Sequence, residues 1–196
     1  MSLEILKKLS SLDAEVRRLT QSHNEVLHGV RRRFLNQMME WFSMLVEVEV
    51  EGFKIIRAPL GATARLDQTE LVLNCTDPSI TLQDSEAQYT ITCSLAPERS
   101  YVIVLYRQSQ MAPETETNDA NDQITNKMLE IRQLEAQIAN PGKDLWFAKG
   151  RLERASDVRG TIGRPPAPFE TFQNLEQSMK TALAEVAAAA NAPRNA

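Results

Sequence analysis

Eight residues between positions 5 and 30 recur at alternating intervals of four and three: Ile5, Leu9, Leu12, Val16, Leu19, His23, Val26 and Val30. They form two interleaved seven-residue series, one from Ile5 through Leu12 and Leu19 to Val26, the other from Leu9 through Val16 and His23 to Val30. A stripe that repeats every 3.5 residues keeps one seam facing a neighbouring helix, which is the requirement of a left-handed coiled coil. Such a stripe is too narrow and too long to be buried inside a small domain. It calls for another helix, from this chain or from a second one.

The pattern changes after Val30, where the next seam positions fall on Arg33 and Gln37. A wider stripe of Phe34, Met38, Trp41, Phe42 and Leu45, with Met39 and Met44 beside it, suits packing onto a sheet. The first helix is therefore expected to run to about Val46 and to change partners along its length. Val46, Val48 and Val50 alternate with glutamates and read as the start of strand structure. Further strands are predicted at 53–57, 70–75, 80–83, 88–95 and 101–107, separated by turn residues such as Pro59-Leu60-Gly61 and Asp77-Pro78. The 88–95 segment places Tyr89, Ile91, Cys93 and Leu95 on one face and threonines on the other, the mark of a sheet that packs on one side only. Short strands joined by short turns imply an antiparallel meander.

A second helix is expected over 122–139, with Ile124, Met128, Ile131, Leu134 and Ile138 as its apolar side and Asn140-Pro141-Gly142 as its stop. At about 25 Å it can accompany the first helix only part of the way. A short third helix is predicted at 144–156, using Leu145, Trp146, Ala148 and Leu152, and a final amphipathic helix at 169–190. The expected organisation is thus a coiled-coil or amphipathic helix at 1–45, an antiparallel sheet head at 46–108, a flexible connector at 109–121 and a helical pair at 122–156. A Gly/Pro linker at 157–168, an amphipathic helix at 169–190 and a disordered tail at 191–196 complete it. The fold class is α+β: a long N-terminal coiled-coil helix, a small antiparallel sheet, then a helical C-terminal region.

With 42% hydrophobic and 24% charged residues and a net charge of −4, the composition is that of an ordinary globular chain with no bulk attraction to nucleic acid or anionic lipid. The charge is uneven, with the middle segment 46–120 acidic at −7 and the flanks at +2 and +1. The start lacks a signal-peptide pattern, no apolar run approaches the ~18–20 residues of a bilayer span, and the two cysteines show no metal or redox spacing. These features point to a cytoplasmic protein with reduced thiols; a Cys75–Cys93 disulfide is the alternative.

No residue cluster carries recognisable chemistry. His23 and His28 stand five apart, on different sides of a helix, so they cannot pair as metal ligands. His23 reads as a polar seam residue that fixes register. Gly160-Thr161-Ile162-Gly163 lacks the phosphate-loop pattern, and Arg164-Pro165-Pro166-Ala167-Pro168 reads as a rigid spacer. Arg31, Arg32 and Arg33 form the one notable basic run. Successive helical residues point about 100° apart, so the three fan around the helix and suit contact with an acidic partner better than a phosphate track. Interfacial membrane binding through Trp41 and Phe42 is a lesser reading.

The expectation is a non-enzymatic assembly subunit or adaptor, without a cofactor, that acts through helix and sheet-head contacts with a second copy of itself or a partner protein. The alternative is a nucleic-acid-associated accessory subunit that sets Arg31, Arg32 and Arg33 on phosphates.

Overall fold

A computed structural model describes residues 3–49, 52–108, 119–141, 145–154 and 168–191. The heptad stripe and the wider stripe after it lie on one helix, α1 (Leu3–Glu49), of 47 residues and roughly 70 Å. The chain divides into two compact units, one of residues 1–30 and 108–145, the other of residues 31–107 and 146–196. Residues of α1 belong to both.

In the first unit, the N-terminal part of α1 is accompanied by α2 (Ala120–Ala139). Asp119 caps α2, its carboxylate accepting hydrogen bonds from the backbone N–H groups of Asn121 and Asp122 at 2.8 and 3.2 Å. The Lys127 ammonium meets the Asp13 carboxylate at 2.6 Å. Arg18, whose main partner is Glu15, also feels the charge of Glu135. Residue numbers rise together in the pairs 13/127 and 18/135. Antiparallel helices would hold Arg18 and Glu135 about 20 Å apart along the axes, so α1 and α2 run in the same direction.

The second unit holds the sheet. Its strands are β1 (Lys54–Ala58), β2 (Gly61–Leu66), β3 (Thr69–Cys75), β4 (Ala87–Cys93), β5 (Arg99–Gln108), β6 (Leu145–Arg154) and β7 (Glu170–Phe172), and they lie side by side in chain order. Two-residue turns close the first two hairpins, with Ala58 opposite Gly61 and Leu66 opposite Thr69. Asp67 takes the left-handed conformation (φ 51°) in the second of them. The later segment of α1 and a last helix, α3 (Leu175–Asn191), supply the other layer of the core. Leu35, Met38, Phe42 and Leu45 of α1 and Met179, Ala182 and Val186 of α3 are buried with Leu73, Tyr89, Ile91, Ile103, Leu105 and Phe172 of the sheet. Tyr101 to Leu105 of β5 are buried on both faces, as their uninterrupted apolar character implies. Among the described residues no helix is long and apolar enough to cross a membrane.

The α+β class holds, with several elements corrected. The segment from Val46 is helical to Glu49 rather than strand, because Val46 continues the buried line of Phe42 and Leu45 on α1 while Val48 is left exposed. Residues 80–83 form no strand: β3 already has β2 and β4 on its two edges, so an extra strand there has no partner. The strand β2 is added; in its Gly-Ala-Thr-Ala run Thr63 is the one β-branched residue and none is aromatic, so the strand signal is weak, yet Ala62 and Ala64 are buried.

The predicted helical pair at 122–156 is a helix and a strand. In β6 the alternation Trp146, Ala148, Gly150 and Leu152 against Phe147, Lys149, Arg151 and Glu153 prevails, since β5 and β7 offer ladder partners on both sides. The helix predicted from Phe169 begins only at Leu175. Residues 170–172 pair with β6, Phe172 opposite Ala148, and Asn174 caps α3 by accepting the Glu176 N–H at 2.8 Å. Most of the expected connector, the Gly/Pro linker up to Ala167 and the tail from Ala192 lie outside the described residues.

Candidate functional site

The heptad residues occupy one face of α1, with graded burial. Leu9, Leu19, His23 and Val30 are buried, whereas Ile5, Leu12, Val16 and Val26 are half-buried. Leu27, which the strict heptad omits, is also buried, because a straight helix of 3.6 residues per turn drifts away from a 3.5-residue stripe. On α2 the covered line is Ile124, Lys127, Ile131, Leu134 and Ile138, again at alternating three and four spacing. Met128, assigned to that stripe by sequence, is exposed together with Leu129. At the start of α1, Leu3 and Leu6 are exposed as well. This unit thus offers paired helices with an incompletely covered apolar seam.

The arginine run separates into different roles. Arg31 is 8% exposed, and its Nε and Nη2 donate to Glu86 Oε2 at 2.8 and 2.6 Å. Arg107 donates from Nε to Glu86 Oε1 at 2.9 Å. Burial acts to raise the Glu86 pKa, but the two guanidiniums outweigh it and hold the carboxyl below its ordinary value. Arg32 and Arg33 remain exposed. Phe42 is fully buried in the core, which removes it as a membrane anchor.

The cysteines are free and buried. Cys75 lies opposite Tyr89 and Cys93 opposite Leu71, four positions apart along adjacent strands, or about 13 Å, far beyond disulfide reach. Burial pushes the Cys75 thiol up to about 12, which disfavours the thiolate.

Two recesses in the second unit had no sequence signal. One, of about 260 Å³, is apolar and lined by Leu45, Val46, Phe53, Leu71, Leu183 and neighbouring alanines, with Lys180 at its margin. The other, of about 360 Å³, is walled by Phe34, Gln37 and Trp41 of α1, by Trp146 of β6, and by Gln173 and Asn174 before α3, over a floor that includes Leu105 and Ala148. Phe34 and Trp146 touch at a ring-centroid distance of 4.9 Å and an interplanar angle of 51°. The placing of Phe34 and Trp41 on one helix face was legible; the part of Gln37 and the meeting with Trp146 were not, because by sequence Gln37 reads as a break in the seam and Trp146 as part of a helix. No protein-family model matches the chain, and no curated protein or solved structure resembles it at a significant level.

Proposed function

We propose that this protein is a non-enzymatic assembly subunit or adaptor whose first unit associates through the α1 seam. The partner in this reading is a second copy of the chain, with a partner protein as the variant of the same scheme. The observation that carries it is the half-burial of Ile5, Leu12, Val16 and Val26 at heptad positions while α2 already lies beside α1. A seam residue in a two-helix pair meets one neighbour, whereas knobs-into-holes packing in a larger bundle encloses it. Exposed Leu3 and Leu6 extend the apolar surface toward the start of the helix. The nucleic-acid reading has weaker support, since Arg31 is committed to Glu86.

Light scattering across a concentration series tests the proposal. The expected result is a mass at least twice that of the 22.0 kDa chain. Leu12→Asp combined with Val16→Asp, both at half-buried positions, is expected to reduce it to the monomer with the strand signal in circular dichroism retained. A mass unaffected by these substitutions, or a wild-type chain that stays monomeric at every concentration, overturns self-assembly.

A further inference from the structure

The aromatic recess of the second unit has the chemistry of a ligand site. We propose that it binds a neutral sugar ring. Its volume of about 360 Å³ falls within the range of small-molecule sites, about 300–1,000 Å³. Among the described residues its walls carry no Asp, Glu, Lys, Arg or His, so none of these complements a charged ligand. What it offers instead is aromatic surface from Phe34, Trp41 and Trp146, interrupted by side-chain amides from Gln37, Gln173 and Asn174. Each glutamine amide both donates and accepts hydrogen bonds, and the Asn174 carbonyl oxygen is already used to cap α3, which leaves its NH₂ group as the donor.

This combination selects among neutral ligands. A pyranose has a C–H face that lies on one aromatic ring and a rim of hydroxyls that both donate and accept. A nucleobase is flat and apolar on two faces and gains most from a parallel slot. Here Phe34 and Trp146 stand 51° apart and form no such slot. The recess is also walled by exposed Gln37, Gln173 and Asn174, so its ligand stays partly in water, where a hydroxylated ring loses little hydration. Phe34, Gln37 and Trp41 are presented by one face of α1 at intervals of three and four, and the buried Leu105 and Ala148 fix the floor.

The chain has two tryptophans, and both line this recess, so intrinsic fluorescence reports on it directly. The experiment is titration of the full-length protein with maltose and with cellobiose, with adenosine as the competing chemistry and N-acetyltryptophanamide as the baseline. A saturable emission change with at least one disaccharide is expected, weakened about tenfold by Gln37→Ala and by Gln173→Ala, the size of one lost hydrogen bond. Both glutamines are exposed, so the variants are expected to keep the wild-type circular dichroism. A response no different from the baseline with both sugars, a response unchanged in both variants, or saturation by adenosine alone would each overturn the assignment.

Discussion

A carboxylate that accepts three hydrogen bonds from two guanidiniums is stable only while it is charged. Glu86 is in that position, with its side chain 13% exposed and those of Arg31 and Arg107 at 9% and 15%. Replacing it with Gln leaves two poorly hydrated cations without a counter-charge, a change that costs about 3 kcal/mol at neutral pH. Because the folded-state pKa lies below the unfolded one, the charged form contributes stability above the unfolded value of about 4.3. That contribution is lost as pH falls through the folded value. Urea unfolding of wild type and Glu86→Gln at pH 7, 5, 4 and 3 is therefore expected to show a gap that narrows below about pH 4. A gap constant to pH 3 would mean that the carboxylate charge is not what holds Arg31 and Arg107.

At the scale of elements, β6 and β7 show where packing overrides local pattern. A Cβ built on Gly150 of β6 would meet Tyr101 Cε1 and Oη, both at 2.7 Å, and Phe172 Cε2 at 3.1 Å. The glycine thus makes room for the Tyr101 ring between β5 and β7. Gly150→Ala is expected to destabilise the sheet unit by about 2 kcal/mol through overpacking, and Tyr101→Leu in the same chain to recover part of that loss. A double-mutant cycle by urea unfolding checks it; strictly additive costs would mean that the ring and the glycine are not in contact. The same element shows the limit of sequence reading. In Leu145-Trp146-Phe147-Ala148-Lys149-Gly150-Arg151-Leu152 the apolar residues fit a helical face and a strand alternation almost equally, and only the open ladders of β5 and β7 decide. The long helix and β4 were legible because each carries a clear period, a 3.5-residue stripe up to Val30 followed by a wider helical one in the first and two residues in the second. The recess walled by Trp41 and Trp146 was not, since it joins residues more than a hundred positions apart.

For the molecule as a whole, charge opposes the nucleic-acid reading. The chain carries −4 overall, so its long-range field repels a polyanion, and binding would depend on a local concentration of cations. With Arg31 turned into the Glu86 cluster, the run 31–33 retains two exposed guanidiniums, Arg32 and Arg33. Two neutralised phosphates give a slope of log K against log salt of only about −1.8, too shallow to produce retention at physiological ionic strength. The expected outcome is that a labelled 30-base-pair duplex shows no shift in fluorescence anisotropy with the wild-type protein at 150 mM NaCl. Any weak shift at 20 mM would vanish in Arg32→Glu/Arg33→Glu. The proposed self-assembly would change the arithmetic, because each added copy would bring two further arginines, but it would also add another −4 of net charge. A duplex affinity that survives 150 mM salt with a slope steeper than about −4 would therefore require a cationic surface that assembly creates. That result would favour the nucleic-acid reading over the adaptor reading proposed above.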